Sequence, residues 1–109
     1  MVDCVFCKIV NGTNPTAIIY QDEELIAFPD LHPQAQTHIL IIPKKHVRSL
    51  NEIDDGQLIF KMIKAAKQIA KDTGIYDKGY RLVINTGKEG GQVIQHFHLH
   101  LLGGTRLKG

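Results

Sequence analysis

The sequence predicts an α+β fold in which a helix covers one face of an antiparallel sheet. Short apolar runs typical of strands lie on both sides of one long segment with helical periodicity, and the connections between them are short. With 109 residues and 43% hydrophobic content, the chain is long enough for one hydrophobic core and too short for two. We therefore expect a single domain over residues 1–109.

Three strands are predicted in the first half of the chain. Ala17–Gln21 and Leu25–Phe28 are short apolar runs, joined by the acidic turn Asp22–Glu24. The third strand, His38–Ile42, is apolar enough to be buried, and Pro43 ends it because proline has no N–H for the strand ladder. Together these runs predict neighbouring strands in one sheet.

One long helix is predicted over Asp54–Thr73. Asp54 or Asp55 would cap its N-terminus, and Gly74 lies just beyond its C-terminus. The apolar residues of this segment recur at helical spacing and predict a stripe that faces the core: Leu58, Ile59, Met62, Ile63, Ala66, Ile69 and Ala70.

The last two strands are predicted at Tyr80–Asn85 and Gln95–Leu102, separated by a glycine-rich loop. Residues 96–102 of the second strand read His-Phe-His-Leu-His-Leu-Leu, an alternation with the period of a strand and of no helix. The helix would therefore cover the sheet face that receives the apolar residues of this strand. The other face would hold the histidines.

A row of three histidines on one sheet face favours a functional site. Imidazole is a nucleophile, acid, base or neutral metal ligand near neutral pH, and neighbours on one strand face lie about 6.5 to 7 Å apart. The alternative is a half-buried strand that shows histidine to water. Such a strand would carry mixed polar residues such as Thr, Lys or Glu, so we favour a site for a small anionic group or a metal ion.

The loop before the histidines contains Gly90 and Gly91. It matches neither a P-loop nor a dinucleotide-binding fingerprint, because no Lys-Ser/Thr follows and no helix begins there. Glycine lets backbone N–H groups approach an anion closely, so a hairpin loop that leads into the histidine strand favours anion binding. A plain turn is the alternative.

The two cysteines, Cys4 and Cys7, have the spacing of half a zinc site. His46 and one histidine of the row would complete a Cys2His2 set. A thioredoxin-like redox motif would need a strand before the cysteines, and only three residues precede Cys4. Metal binding is therefore favoured over redox chemistry, and a pair of inert packing residues is the remaining alternative.

Charge and hydropathy exclude two classes of partner. The net charge is +2, with Lys and Arg spread along the chain, so no basic patch predicts a nucleic-acid partner. The start of the sequence has no charged segment followed by an apolar stretch, and no apolar run approaches the roughly 18 residues of a membrane span. We expect a cytoplasmic protein without a membrane partner.

The histidine row, with Gly90–Gln92 before it and Gly103–Gly104 after it, resembles the signature of the histidine triad (HIT) superfamily, in its nucleotide-binding, phosphoramidate-hydrolase branch. The resemblance implies a five-stranded antiparallel sheet with one long and one short helix, paired in a homodimer. It also implies a hydrolase that acts on purine nucleotides through a covalent nucleotidyl-histidine. Further segments match in order and spacing: Asp3–Val10, Ala27–Leu31, Pro33–Ala35, Thr37–His46 and Val83–Asn85.

The resemblance assigns the catalytic roles. His98, the middle histidine, would attack the α-phosphorus; His100 would bind a non-bridging oxygen or protonate the leaving group; and His38 would be a further polar partner. Asp30 would bind the ribose hydroxyls. The phosphoryl oxygens would be held by Asn85 and by the backbone of Gly91, Gln92 and Val93. The base would lie in an apolar slot formed by Val5, Phe6, Ile9, Phe28 and Leu31.

Some relatives hold a structural zinc at positions that match Cys4, Cys7, His46 and His96, so the resemblance implies a closed zinc site that is not required for chemistry. Val93 is a departure, since well-known members have a serine there that hydrogen-bonds the leaving-group nitrogen. The expected reaction is hydrolysis of a nucleoside 5′-phosphoramidate or related conjugate, AMP-X, to AMP. Alternatives are a dinucleoside polyphosphate or aminoacyl-adenylate hydrolase, and a non-catalytic nucleotide-sensing or partner-docking module.

Overall fold

The computed structural model describes residues 4–109, so Asp3, which begins one of the matching segments, lies outside the described residues. A five-stranded antiparallel sheet has the strand order β1-β2-β3-β5-β4, and one long and one short helix pack against it. This architecture confirms the predicted fold. The helices and strands are α1 (Val5–Val10), β1 (Tyr20–Gln21), β2 (Leu25–Pro29), β3 (Thr37–Pro43), α2 (Gly56–Asp72), β4 (Tyr80–Val83) and β5 (Leu99–Gly103), with a 3-10 turn at Leu50–Glu52.

The main core lies between the sheet and α2, as the helical spacing predicts, although the prediction is wrong for Ile63, which is 38% exposed. Alternate residues of the central strands point towards α2, because successive side chains of a strand face opposite sides. They pack against the small and apolar stripe of the helix, which includes Met62, Ala66 and Ile69. The strand residues of this core are Leu25, Ala27, Ile39, Ile41, Leu99 and Leu101.

Helix α2 begins two residues later than predicted. Asp55, one of the two predicted caps, accepts a hydrogen bond from the backbone N–H of Gln57 at 2.8 Å. At the other end Thr73 is the C-cap, and Gly74 has a φ of +81°, a conformation that favours glycine. Neither helix in the described part of the chain is long and apolar enough to cross a membrane.

The prediction that only one sheet face is covered is wrong, because α1 packs on the opposite face. Phe6 of α1 is buried there with the outward-pointing residues of β2 and β3. This second cluster contains Ile26, Phe28, Leu40 and Ile42. Sequence periodicity could not predict that α1 packs on this face, since a helix of six residues is too short to show a clear periodicity.

The strand that carries the histidines is shorter than predicted and begins at Leu99 instead of Gln95. The antiparallel register would place Phe97 opposite Pro43, and proline has no N–H to donate. Phe97 instead donates its N–H to the carbonyl of Val47 at 2.7 Å. The chain before Leu99 therefore alternates like a strand without belonging to the sheet ladder.

Two other strands are also shorter than predicted. Strand β1 covers only Tyr20–Gln21, because Ile18 and Ile19 are about 40% exposed and lack a buried face that would fix their pairing. Strand β4 ends at Val83 instead of Asn85, whose side chain is hydrogen-bonded to the following loop.

We predict that Phe97→Ala lowers the free energy of unfolding by about 3 to 5 kcal/mol, the usual cost of emptying a core site of this size. Phe97 is 1% exposed. Phe60→Ala is the matched control, since Phe60 is 62% exposed on α2 and its loss should cost less than about 1 kcal/mol. Urea denaturation measures both, and equal losses would contradict the assignment of Phe97 to the core.

Candidate active site

The geometry of His98 gives it a fixed tautomer. Its ring is buried, and Nδ1 lies 2.7 Å from the backbone carbonyl of His96. Because a carbonyl only accepts, Nδ1 must carry the proton, and Nε2 then carries the lone pair. The ring of Phe6 contacts the His98 ring edge-on at 5.3 Å between centroids and limits its rotation. His98 therefore has the form that a nucleophile or a general base requires.

His38 and His100 form a second oriented pair. The backbone N–H of Gln34 donates to Nδ1 of His38 at 3.0 Å, so Nε2 of His38 carries the proton. This Nε2 lies 2.9 Å from Nδ1 of His100, which must accept it. The proton of neutral His100 is therefore on Nε2, where it is available as a hydrogen-bond donor.

Burial keeps both rings of this pair neutral at neutral pH. Burial, followed by the repulsion that His98 and His38 would exert on a second positive charge, lowers the pKa of His100 to about 4. Burial also lowers the pKa of His38, against the opposing attraction of Asp30. A neutral His100 donates a hydrogen bond and is a weak acid.

Asp30 lies beside this pair. Its Oδ2 is 3.3 Å from Nε2 of His38, and its Oδ1 accepts the backbone N–H of His32 at 2.9 Å. The predicted ribose-binding carboxylate is thus adjacent to two of the predicted catalytic histidines, with its orientation fixed by a turn.

Potential ligand atoms of Asp30, His38 and His100 lie within 4.8 Å of one another, close enough to suggest a metal site. The tautomer of His38 argues against it. A ring whose Nδ1 accepts the N–H of Gln34 has its proton on Nε2, the atom that would have to bind the metal. The three residues are better explained as a hydrogen-bonded group.

The glycines of the predicted phosphate loop shape the loop itself. A Cβ at Gly90 would clash with the carbonyl oxygen of Thr86, and Gly91 has a φ of +84°, which favours glycine. The N–H of Gly91 donates to Lys88 at 3.1 Å, and the side chain of Asn85 donates to Gly90 at 2.9 Å.

Only part of the predicted phosphoryl-binding backbone is open to a ligand. The N–H of Gly91 is already bonded within the loop, and the N–H of Gln92 donates to the carbonyl of Gly87 at 3.0 Å. The N–H of Val93 has no acceptor among the described residues. The side chain of Val93 is 83% exposed, and that of Gln92 is buried. Of the three backbone N–H groups, that of Val93 is therefore the one without an acceptor in the described part of the chain.

The predicted base slot is only partly assembled. Phe6 and Phe28 are buried with ring centroids 5.4 Å apart in an edge-on contact, and Val5 and Ile9 are half-buried against them. Leu31 is 83% exposed, so it does not join this cluster.

The predicted metal ligands converge. Cys4, Cys7, His46 and His96 have their ligand atoms within 4.8 Å of one another. The two imidazole Nδ1 atoms are 3.2 Å apart, and the sulfur-to-nitrogen distances are 3.3, 3.3 and 3.6 Å. A tetrahedral Zn²⁺ with ordinary bond lengths sets its ligand atoms about 3.3 to 3.8 Å apart. These four residues could therefore hold a metal ion.

The orientation of His96 fits this role. Its Nε2 lies 2.8 Å from the carbonyl of Pro43, so Nε2 carries the proton and Nδ1 directs a lone pair at the cysteine sulfurs. Burial, followed by the neighbouring Cys4, raises the pKa of the Cys7 thiol. A reactive redox cysteine needs the opposite shift, so the redox alternative loses support.

A cavity of about 910 Å³ contains none of the predicted catalytic histidines in its lining. That cavity is lined by residues after α2 and near the C-terminus, among them Lys78, Arg81 and Arg106. None of the predicted site residues lines it. Its volume therefore gives no support to any of the predicted roles.

Sequence reasoning did not identify the groups that orient the histidines. The Gln34 N–H and the Pro43 carbonyl are backbone atoms that every chain has, so side-chain identity gives no signal for them. The side chain of Gln92 was also missed, since only its backbone was predicted to act.

Comparison with known proteins identifies the family. The family model described as HIT domain matches residues 11–107. The purine nucleoside phosphoramidase of Escherichia coli strain K12 is 44% identical over 96% of this chain and 90% of its own. A HIT-like protein of Buchnera aphidicola is 46% identical over 98% of this chain and 97% of its own. The crystal structure of a HIT family hydrolase from Clostridium thermocellum is 44% identical, with a TM-score of 0.97 over 100% of this chain and 96% of that one. The chain belongs to the HIT family.

The low pKa of His100 predicts a loss of stability in acid. Histidine in an unfolded chain has a pKa near 6.5, whereas the pKa of His100 in the folded chain is about 4. The unfolded state then binds more protons in this window, so the free energy of unfolding falls as the pH drops from about 6.5 to about 4. Urea denaturation across this range measures the slope.

In that experiment His100→Asn should reduce the slope, and His32→Asn, at an exposed histidine, should leave it unchanged. A slope that His100→Asn does not change would contradict the assigned shift.

Proposed function

We propose that this chain hydrolyses purine nucleoside 5′-phosphoramidates or related nucleotidyl conjugates, AMP-X to AMP. The observation that carries the proposal is the hydrogen bond from Nδ1 of His98 to the carbonyl of His96 at 2.7 Å, because it leaves Nε2 as a nucleophile beside a second oriented histidine pair. The name of the E. coli relative, purine nucleoside phosphoramidase, agrees with it.

In the first step, Nε2 of His98 attacks the α-phosphorus and forms a phosphorus–nitrogen bond. The bond from phosphorus to the leaving nitrogen breaks, and its electron pair stays on that nitrogen, which takes a proton from water. The advantage of the covalent route is that one difficult displacement becomes two easier ones. The fixed tautomer of His98 orients the attacking lone pair before substrate binds.

In the second step, water attacks the same phosphorus and gives up a proton, which neutralises the hydroxide left by the first step. The bond from phosphorus to Nε2 of His98 breaks, its electron pair returns to that nitrogen, and the nucleotide is released. Throughout both steps, the Nε2–H of His100 donates to a non-bridging phosphoryl oxygen, the role that suits a neutral ring with a low pKa. Donors placed where charge develops are the main contribution of a protein to phosphoryl transfer. His38 keeps His100 in this tautomer.

Substrate binding is divided among the remaining residues. Asp30 accepts hydrogen bonds from the ribose hydroxyls, and Asn85 with the N–H of Val93 holds the phosphoryl group. The base lies against the cluster of Val5, Phe6, Ile9 and Phe28 described above. Because valine has no hydroxyl to donate, the side chain of Val93 offers an apolar contact to the leaving group.

We also propose that the four converging ligands bind a structural zinc ion. Two thiolates and two imidazoles form a closed set with no open position, so zinc here would fix the fold and leave catalysis to the histidines. His96 would be held by zinc through Nδ1, and its carbonyl would keep His98 in place. Reduced cysteines are consistent with a cytoplasmic protein.

A homodimer formed through β4 is proposed as well. Strand β4 is one of the two outer strands of the sheet, and an uncovered edge is a template for pairing with another chain. An apolar cleft of about 170 Å³ adjoins it, lined by residues of α2 and the sheet that include Ile59, Ile63, Leu82 and Ile84. A second copy would cover both features by continuing the sheet.

We predict that His98→Ala lowers turnover of adenosine 5′-phosphoramidate by on the order of 10³-fold or more while AMP affinity changes little, since a nucleophile acts on the chemical step. Turnover is measured as the AMP released, which is quantified by chromatography, and binding of AMP is measured by calorimetry. His32→Ala, at an exposed histidine, is the control and should retain activity. Turnover in His98→Ala similar to that of the unchanged protein would refute the covalent mechanism.

For the metal, we predict one zinc ion per chain in protein purified without added metal, and none in Cys4→Ser/Cys7→Ser. Chelation should lower the melting temperature. The free energy of unfolding lost with the zinc should be smaller than the roughly 10 to 16 kcal/mol of a zinc-finger peptide, because this fold has its own core. Elemental analysis and thermal unfolding decide the question. His46→Asn removes a ligand from another segment and should give the same loss. Metal-free protein with unchanged stability in chelator would refute the zinc site.

A further inference from the structure

The side chain of Gln92 is a buried polar group that the proposed mechanism does not use. It is 7% exposed, and its carboxamide makes three hydrogen bonds. The oxygen accepts the N–H of Gly87 at 3.0 Å, and the nitrogen donates to the carbonyls of Arg48 at 2.7 Å and Ile94 at 3.0 Å. Both amide protons are therefore engaged, and the side chain has no donor left for a substrate.

One of these contacts, together with a backbone hydrogen bond of the same residue, closes the glycine loop. The backbone N–H of Gln92 donates to the carbonyl of Gly87 at 3.0 Å, while the Gly87 N–H donates to the Gln92 side chain. The two ends of the loop are thus joined by a reciprocal pair of hydrogen bonds. Val93, whose N–H is free of acceptors among the described residues, follows immediately after this closure.

The other two contacts fix the loop to the rest of the site. Arg48 lies two residues after His46, and Ile94 lies two residues before His96. The neighbouring Val47 accepts the N–H of Phe97 at 2.7 Å, so these two segments are also joined directly. One carboxamide therefore links the loop to both segments that carry the histidines of the metal cluster.

We propose that Gln92 is a positioning residue for phosphate binding, which rests on the function proposed above. Its side chain holds the glycine loop in the conformation that presents the Val93 N–H and Asn85 to the phosphoryl group. Loss of the carboxamide should leave the base and ribose sites intact: Gly87 and Arg48 belong to neither, and Ile94, whose side chain packs against the apolar cluster, is held by Gln92 only through its backbone carbonyl. The phosphate of a nucleotide then loses preorganised donors, and the nucleoside part does not.

The test compares two ligands that differ only in the phosphate, AMP and adenosine, neither of which has a leaving group to lose. In Gln92→Met, a substitution of similar length without donors or acceptors, the Kd for AMP should rise on the order of 10-fold, because each lost hydrogen bond is worth about 1 kcal/mol. The Kd for adenosine should stay within about twofold. Calorimetry measures both ligands.

The matched control is Gln95→Met, at an exposed glutamine three residues along the same segment. Both affinities should be unchanged in it. Hydrogen exchange gives a second measurement: amides of residues 86–93 should exchange faster in Gln92→Met and not in Gln95→Met, since only Gln92 closes the loop. If Gln92→Met does not fold, Gln92→Asn, whose carboxamide is one methylene too short for these contacts, takes its place.

Two results would overturn the inference. Equal losses for AMP and adenosine would mean that Gln92 supports the fold generally, and no loss for AMP would mean that the loop keeps its shape without the carboxamide. A failure of the proposed function is visible separately, in the unchanged protein. There, adenosine would bind as tightly as AMP, which would refute the phosphate site and this inference together.

Discussion

The site depends first on the hydrogen bond between Nδ1 of His98 and the backbone carbonyl of His96. An imidazole without a fixed acceptor exchanges between two tautomers, and only one of them directs a lone pair at a given point. Here the acceptor is a main-chain atom of a residue whose own ring is held by the carbonyl of Pro43. His96 thus belongs to both groups of residues, since its ring faces Cys4, Cys7 and His46 and its backbone orients His98.

The short helix α1 connects the two sites on the same sheet face. A helix of six residues has no stability of its own in water, so it exists because Phe6 is buried in the second hydrophobic cluster. Phe6 also contacts the rings of His96 and His98 edge-on, and the cysteines beside it reach His46 and His96. Packing of α1 and order in the histidines therefore stabilise each other.

Much of this arrangement could be predicted from the sequence, because it depends on which side chains occur and at what spacing. Alternation around His98 predicted a histidine face, and the spacing of α2 predicted the main core. Features set by backbone atoms could not be predicted, since the carbonyl of Pro43 and the N–H of Gln34 have no sequence signature. The extent of β5 was wrong for a related reason: it depends on which N–H groups the neighbouring chain can pair with, and alternation continues beyond that limit.

The exposed and buried parts of the site differ in what a substitution costs. The histidines and Gln92 are buried in hydrogen-bonded groups, so a change there leaves a partner unpaired, typically at about 1 to 3 kcal/mol. Val93 and Leu31 are each 83% exposed and make few contacts that a substitution would lose. Substitutions at these two exposed positions can therefore be made without loss of the fold. Under the proposed function Val93 contacts the leaving group, so a substitution there would alter leaving-group preference and leave the hydrogen bonds of the buried histidines in place.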